Sequence, residues 1–238
     1  MKEPMTRSGN TAMALSMTEG HGLSMAGPRA IAGPKADWLY PAVSRGMDVA
    51  ISVLALIVAA PIILVAAAII KLTSPGPVFF RQSRVGKDHR PFTMYKLRTM
   101  YPGADDDKEL FRKFNSLPTG PCFKMKNDPR VTPVGRWLRR SSMDELPQFL
   151  NVLLGDMALV GPRPLPLDEV ATDTPQQRMR FTVKPGISCL WQVCGRTEIP
   201  YEEWLALDVW YIRNRSLSLD LQILVKTIPA VVSARGAY

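Results

Sequence analysis

From Val49 to Ile70 the chain is apolar at nearly every position, and no other feature so restricts what it can fold into. As a straight helix this segment reaches ~33 Å at a rise of about 1.5 Å per residue, close to the ~30 Å hydrocarbon thickness of a bilayer. A membrane-embedded helix over residues 41–72 is therefore expected. Pro61 sits mid-segment, where it removes a backbone hydrogen bond and clashes with the preceding turn, so a kink or reversal belongs there. Arg45 lies before the segment, and Lys71, Arg81, Arg84 and Lys87 lie after it. The positive-inside tendency then holds both flanks in the cytoplasm, as a re-entrant helix does and a single span does not. A kinked span and a buried core helix are the alternatives.

The net charge of +9 is unevenly spread. Residues 1–70 carry five Lys/Arg against four Asp/Glu, residues 71–140 sixteen against six, and residues 141–238 nine against eleven. So concentrated a field attracts polyanions: nucleotide diphosphates, lipid phosphates or an anionic membrane face. Nucleic acid is a poor partner, because the chain carries an apolar segment and no recognisable nucleic-acid-binding motif. The three cysteines, Cys122, Cys189 and Cys194, form no C-x-x-C pair, which suits a reducing compartment. Two histidines, His21 and His89, exclude a histidine-rich metal cluster and disfavour a Ser-His-Asp triad.

Residues 1–40 read as a flexible extension with no secretory signal. After Thr73 to Pro77, the strand-like runs Val78 to Gln82 and Pro91 to Lys96 flank Gly86-Lys87-Asp88 and predict a β-hairpin; the glycine spacing is not that of a P-loop. Asp105, Asp106 and Asp107 are expected to open a helix through Phe114. Tyr201 to Tyr211 predicts another helix, and Leu217, Leu221, Leu224, Ile228 and Val231 recur at helical spacing, an amphipathic stretch for packing or for the membrane surface. The expected class is α+β: a mostly helical cytoplasmic domain, residues 73–238, with a small β-hairpin and a C-terminal amphipathic helix, anchored by the Pro-kinked re-entrant segment.

The densest chemistry lies at Ser142-Met-Asp144-Glu145-Leu-Pro147-Gln148, just after Arg136, Arg139 and Arg140 and before Gly161-Pro162-Arg163-Pro164. Ser142-x-x-Glu145 has the form of a capping box, and capping alone would account for it. The same placement puts Asp144 and Glu145 at a positive helix end, where carboxylate and phosphate groups are both stabilised. A carboxylate can attack phosphorus, but two anions repel, so a divalent cation must bridge them; Mg²⁺ on Asp144 and Glu145 is expected. Arg139, Arg163 and Arg196 are the candidates for holding phosphate by guanidinium forks. A non-enzymatic membrane adaptor that binds anionic lipid through residues 71–140 stays open as the alternative; it has no use for the Asp-Glu pair.

From Arg45 to about Val232 the chain resembles the bacterial sugar transferases, the monotopic phosphoglycosyl transferases of the short, exopolysaccharide-initiating type. The matching text includes Ser74-Pro-Gly-Pro-Val78, Tyr95-Lys-Leu-Arg-Thr-Met100, Asp128-Pro-Arg-Val-Thr-Pro-Val-Gly135, the Asp144-Glu145 stretch, Lys184-Pro-Gly-Ile187, Trp191-Gln192, Gly195-Arg196 and Asp208-Val-Trp-Tyr211. The resemblance implies transfer of a sugar-1-phosphate, a hexose such as glucose or galactose, from a UDP-sugar to undecaprenyl phosphate. Asp144 matches the nucleophile, Glu145 the partner acid that holds Mg²⁺ or takes the acceptor's proton, and Arg139, Arg163 and Arg196 match phosphate contacts. It further implies the cytoplasmic face of the bacterial inner membrane, with downstream glycosyltransferases as possible partners. The chain departs from the family pattern at Ala60, where serine usually precedes the bend proline, and at Ala158, Cys189 and Cys194.

Overall fold

The computed structural model describes residues 39–116, 120–194 and 200–232. The expected N-terminal extension falls outside them up to residue 38. Helix α1, Tyr40–Thr73, is 34 residues long and stays helical through Pro61. Straight, it would measure ~51 Å, well beyond a bilayer's ~30 Å core. Leu54, Ile57, Val58, Leu64 and Val65 along its middle are 61–70% exposed. A contiguous apolar patch of that kind is rare on soluble monomers, and α1 is long and apolar enough to cross a membrane.

Both ends of α1 are tied to the rest of the fold. Near its start, the Arg45 guanidinium donates to the Val152 and Leu153 carbonyls at 2.6 and 2.8 Å, and the Asp48 carboxylate accepts the Leu159 N–H at 2.9 Å. The Tyr40 hydroxyl donates to Asp220 at 2.8 Å. Near its end, Ala66 and Ile70 pack with Leu97 and Leu138 in a buried cluster. Arg98 closes that end by donating to the Ser74 carbonyl and hydroxyl at 3.0 and 2.8 Å and to the Pro75 carbonyl.

The expected hairpin is present, with a longer first strand than the sequence suggested: β1, Phe79–Val85, pairs antiparallel with β2, Pro91–Leu97, in a register that sets Phe79 against Leu97 and Val85 against Pro91. The acidic run does not open a helix through Phe114. Residues 102–107 form turns, and helix α2 covers only Lys108–Phe111 before a 3₁₀ turn at Arg112–Phe114. No aspartate side chain caps α2; Asp105 and Asp106 instead line the cavity described below.

Helix α3, Pro133–Arg140, starts at Thr132, whose hydroxyl accepts the Gly135 N–H at 2.9 Å, with Pro133 pre-setting the first turn. Gly135 lets this helix lie directly on the backbone just past β2: a Cβ there would clash with the Thr99 carbonyl. Helix α4, Gln148–Leu154, ends on Gly155, whose φ of 91° supplies the left-handed residue that closes the last turn. Asn151, fully buried within α4, fixes it to the hairpin by donating to the Thr93 carbonyl at 2.6 Å and accepting the Tyr95 N–H at 3.1 Å.

A second small sheet, absent from the sequence reading, pairs β3, Ala158–Val160, in parallel with β4, Gly186–Ser188, after the short helix α5, Pro175–Met179. Its strands are three residues each, too short to show period-two alternation. Helices α6, Leu190–Val193, α7, Tyr201–Asn214, and α8, Leu217–Val232, complete the fold. The last two lie where hydrophobic spacing predicted them, α7 running three residues past Tyr211. Tyr211 and Tyr40 both donate to Asp220 at 2.8 Å, which joins α7, α8 and the start of α1.

Candidate active site

The chain leaves α3 through Ser142, whose φ of 56° puts a non-glycine residue in the left-handed region and turns the backbone sharply. Asp144 and Glu145 follow in a 3₁₀ turn, Met143–Glu145. The capping box expected of Ser142 and Glu145 does not form: the Ser142 side chain caps nothing. The physical reason lies in competition for Glu145. One of its oxygens, Oε1, accepts from Lys96 Nζ and from Arg163 Nη2, each at 2.8 Å. Two cations outweigh a single neutral N–H.

Asp144 is buried, and among the described residues its carboxylate accepts no hydrogen bond. Burial and the Glu145 anion raise its pKa above the usual carboxylate range, against the pull of Lys96, Arg139 and Arg163. Glu145 moves the opposite way. Burial pushes it up, but the Arg163 guanidinium and the Lys96 ammonium overcome that and hold it well below the ordinary value. Two adjacent carboxylates thus differ in kind: one is clamped and ionised, the other unengaged.

Asp144, Glu145, Arg139 and Arg163 line one cavity of about 740 Å³, together with Lys96, Arg84 and Thr99. Arg139 reaches it from α3, its Nε donating to Thr99 Oγ1 at 2.9 Å. Arg163 is held from behind: its carbonyl accepts from Arg180 Nη2 at 3.1 Å, Arg180 Nε donates to Asp208 at 2.8 Å, and the Arg180 guanidinium lies 5.0 Å from the Trp204 ring. Arg196 lies outside the described residues.

Among the described residues, no three His, Cys, Asp or Glu side chains gather into a metal site. Mg²⁺ does not require one, since it binds through one or two carboxylates while substrate phosphates and water fill its remaining positions. The donor set fits that use. Both Asp144 oxygens and Glu145 Oε2 accept no hydrogen bond among the described residues, and the two known partners of Glu145 both occupy Oε1.

The family model described as bacterial sugar transferase matches residues 39–234. The chain belongs to this family. It is 39% identical over 197 residues to the exopolysaccharide production protein ExoY of Sinorhizobium fredii, covering 82% of this chain and 87% of that one. It is 39% identical over 198 residues to the undecaprenyl-phosphate galactose phosphotransferase of Salmonella typhimurium, covering 82% of this chain and 41% of the relative. A UDP-N-acetylgalactosamine-undecaprenyl-phosphate N-acetylgalactosaminephosphotransferase of Aeromonas hydrophila is 41% identical over 209 residues, 84% of this chain and 46% of the relative. This sugar transferase therefore spans most of ExoY and less than half of the two larger proteins.

Sequence reasoning brought Asp144, Glu145, Arg139 and Arg163 to attention, and the fold gathers all four. It missed Lys96 as a site residue. The available signal was a lysine between Tyr95 and Leu97 inside a strand, where a charge needs a partner. That partner is 49 positions away, so no local pattern names it.

Proposed function

We propose that this sugar transferase moves a sugar-1-phosphate from a UDP-sugar to undecaprenyl phosphate through a covalent intermediate on Asp144. The observation that carries the reading is the contrast within the pair: a buried, unpartnered Asp144 carboxylate beside a Glu145 fixed by Lys96 and Arg163. An Asp144 oxygen attacks the β-phosphorus of the donor. The bond to the oxygen bridging the two phosphates breaks, and UMP leaves with the electron pair. An oxygen of the lipid phosphate then attacks the same phosphorus, the bond to Asp144 breaks, and a lipid diphosphate sugar departs. One phosphoanhydride is exchanged for another, so no further energy source is needed.

Arg163 and Lys96 hold Glu145, and Arg139, which lines the same cavity, offers its guanidinium to phosphate oxygens. Asp144 and Glu145 would hold Mg²⁺, which supplies charge neutralisation on the diphosphate as a carboxylate approaches it. A glutamate kept ionised by two cations is a weak proton acceptor, so its role is to organise the site rather than to act as base. The sugar we favour is a hexose, since the Salmonella typhimurium relative is named for galactose.

The reading also explains the anchor, because the acceptor's phosphate lies at a membrane surface. We infer that α1 enters and leaves the same face, turning at Pro61, with the domain on the cytoplasmic side of the inner membrane. In support, residues near both ends of α1, Arg45 and Asp48 at one and Ala66 and Ile70 at the other, contact the same domain. The test is mass spectrometry of the detergent-solubilised protein after exposure to Mg²⁺ and a panel of UDP-sugars. A phosphosugar adduct with equimolar UMP release is expected, lost in Asp144→Asn. An adduct of equal yield in that variant removes Asp144 as nucleophile, and inertness toward every donor removes the reaction.

A further inference from the structure

Arg84, on β1, lines the wall of the same cavity and forms no salt bridge among the described residues. The acids whose charges act on it are already paired: Glu145 with Lys96 and Arg163, and Asp168 and Glu169 with Lys108. Arg84 donates Nη1 to the Pro164 carbonyl at 2.9 Å and Nη2 to the Gln82 side-chain oxygen. Both acceptors are neutral. Its Nε is buried and has no hydrogen-bond partner. Burial, followed by the neighbouring Arg163 cation, pulls this guanidinium down to about 10. A half-buried cation without an anionic partner is costly, and this one belongs to a side chain that lines the candidate site's cavity.

We propose that Arg84 is a phosphate-binding residue, used first by the nucleotide phosphate that departs and then by the lipid phosphate that arrives. The inference rests on the double displacement above. In two successive in-line displacements at one phosphorus, the leaving group of the first step and the attacking group of the second occupy the same apical position, across from the enzyme's nucleophile. One cation therefore serves both substrates. The charges that act most on Arg84 are Arg163, Glu169 and Glu145, whereas those on Asp144 are Lys96, Glu145, Arg139 and Arg163. Arg84 and Asp144 thus line one cavity and share the Glu145–Arg163 pair as charged neighbours.

The test measures binding rather than turnover. The full chain in detergent with Mg²⁺ is titrated calorimetrically with UMP and, separately, with undecaprenyl phosphate, for the parent protein, Arg84→Gln and Arg84→Lys. Arg84→Gln is expected to raise both Kd values roughly ten- to hundredfold, the worth of a charge-assisted hydrogen bond. Arg84→Lys recovers part of the loss, since it keeps the charge without the fork; matched melting temperatures confirm that both variants fold. A loss for one ligand alone overturns the shared use and leaves Arg84 a contact of that substrate only. Unchanged Kd values for both overturn the proposal, even if kcat falls, because that pattern belongs to a residue that merely pins the Pro164 carbonyl. Failure of the Asp144 adduct would sink the covalent reading and leave these binding results standing.

Discussion

Lys96 and Glu145 form the contact on which the candidate site's electrostatics turn, and a double-mutant cycle isolates it. Lys96→Met removes the ammonium that sits 2.8 Å from Glu145 Oε1 while keeping most of the side-chain volume. Glu145→Gln removes the charge on the other side. Both side chains are less than one-fifth exposed, at 14% and 18%, so solvent screens the pair only weakly. A charge-assisted hydrogen bond in such a place contributes about 1.5–3 kcal/mol, a factor of roughly 10 to 150 in rate if it is needed in the transition state. The loss should not be total, because Glu145 keeps Arg163 at 2.8 Å. The assay is single-turnover UMP release, read as kcat/KM for the donor in the parent, both single variants and the double variant. Lys96→Met should lower it by about one to two orders of magnitude in the parent background and by much less beside Glu145→Gln. Additivity within about 0.5 kcal/mol would refute the reasoning, since groups that act together do not add.

Asn151→Ala should destabilise the chain by about 2–4 kcal/mol, because it leaves the Tyr95 N–H and the Thr93 carbonyl unpaired; thermal unfolding in detergent measures it. Ser142→Ala should cost less than about 0.5 kcal/mol by the same measurement, whereas a working N-cap would cost about 1 kcal/mol. For the topology, Gly46→Cys and Leu72→Cys, in a background with the three native cysteines replaced, should both react with an impermeant thiol reagent from the cytoplasmic side. Gly46 has open space around it and Leu72 is 86% exposed, so access is set by the membrane alone. Labelling of the two positions from opposite sides would make α1 a span.

The elements that the sequence announced are those whose signal is local. The apolar run before Lys71, the hairpin around Gly86 and the helical spacing from Leu217 each repeat a pattern over one segment, and each is present as α1, β1–β2 and α8. The elements it hid are held by distant partners. β3 and β4 pair only after the chain has passed through α5, and three residues carry too little alternation to be recognised. The capping box misled for a related reason: Ser142 and Glu145 have the right spacing, but Lys96 and Arg163 compete for the glutamate from other elements. Likewise the run Asp105 to Asp107 has the composition of a helix start, yet it lies in turns beside the cavity.

Sequence alone determined that this chain carries a membrane-length apolar helix, a basic middle third and an Asp-Glu pair amid arginines, because length, charge and adjacency are properties of the covalent chain. Tertiary structure decided which carboxylate is clamped and which is unengaged. Asp144 and Glu145 are neighbours of one chemical kind, so nothing in their order distinguishes them. The difference arises because β2 brings Lys96 and the loop after β3 brings Arg163 to one oxygen of Glu145, while Asp144 is buried without a partner. Electrostatic roles depend on distance and burial, and folding sets both.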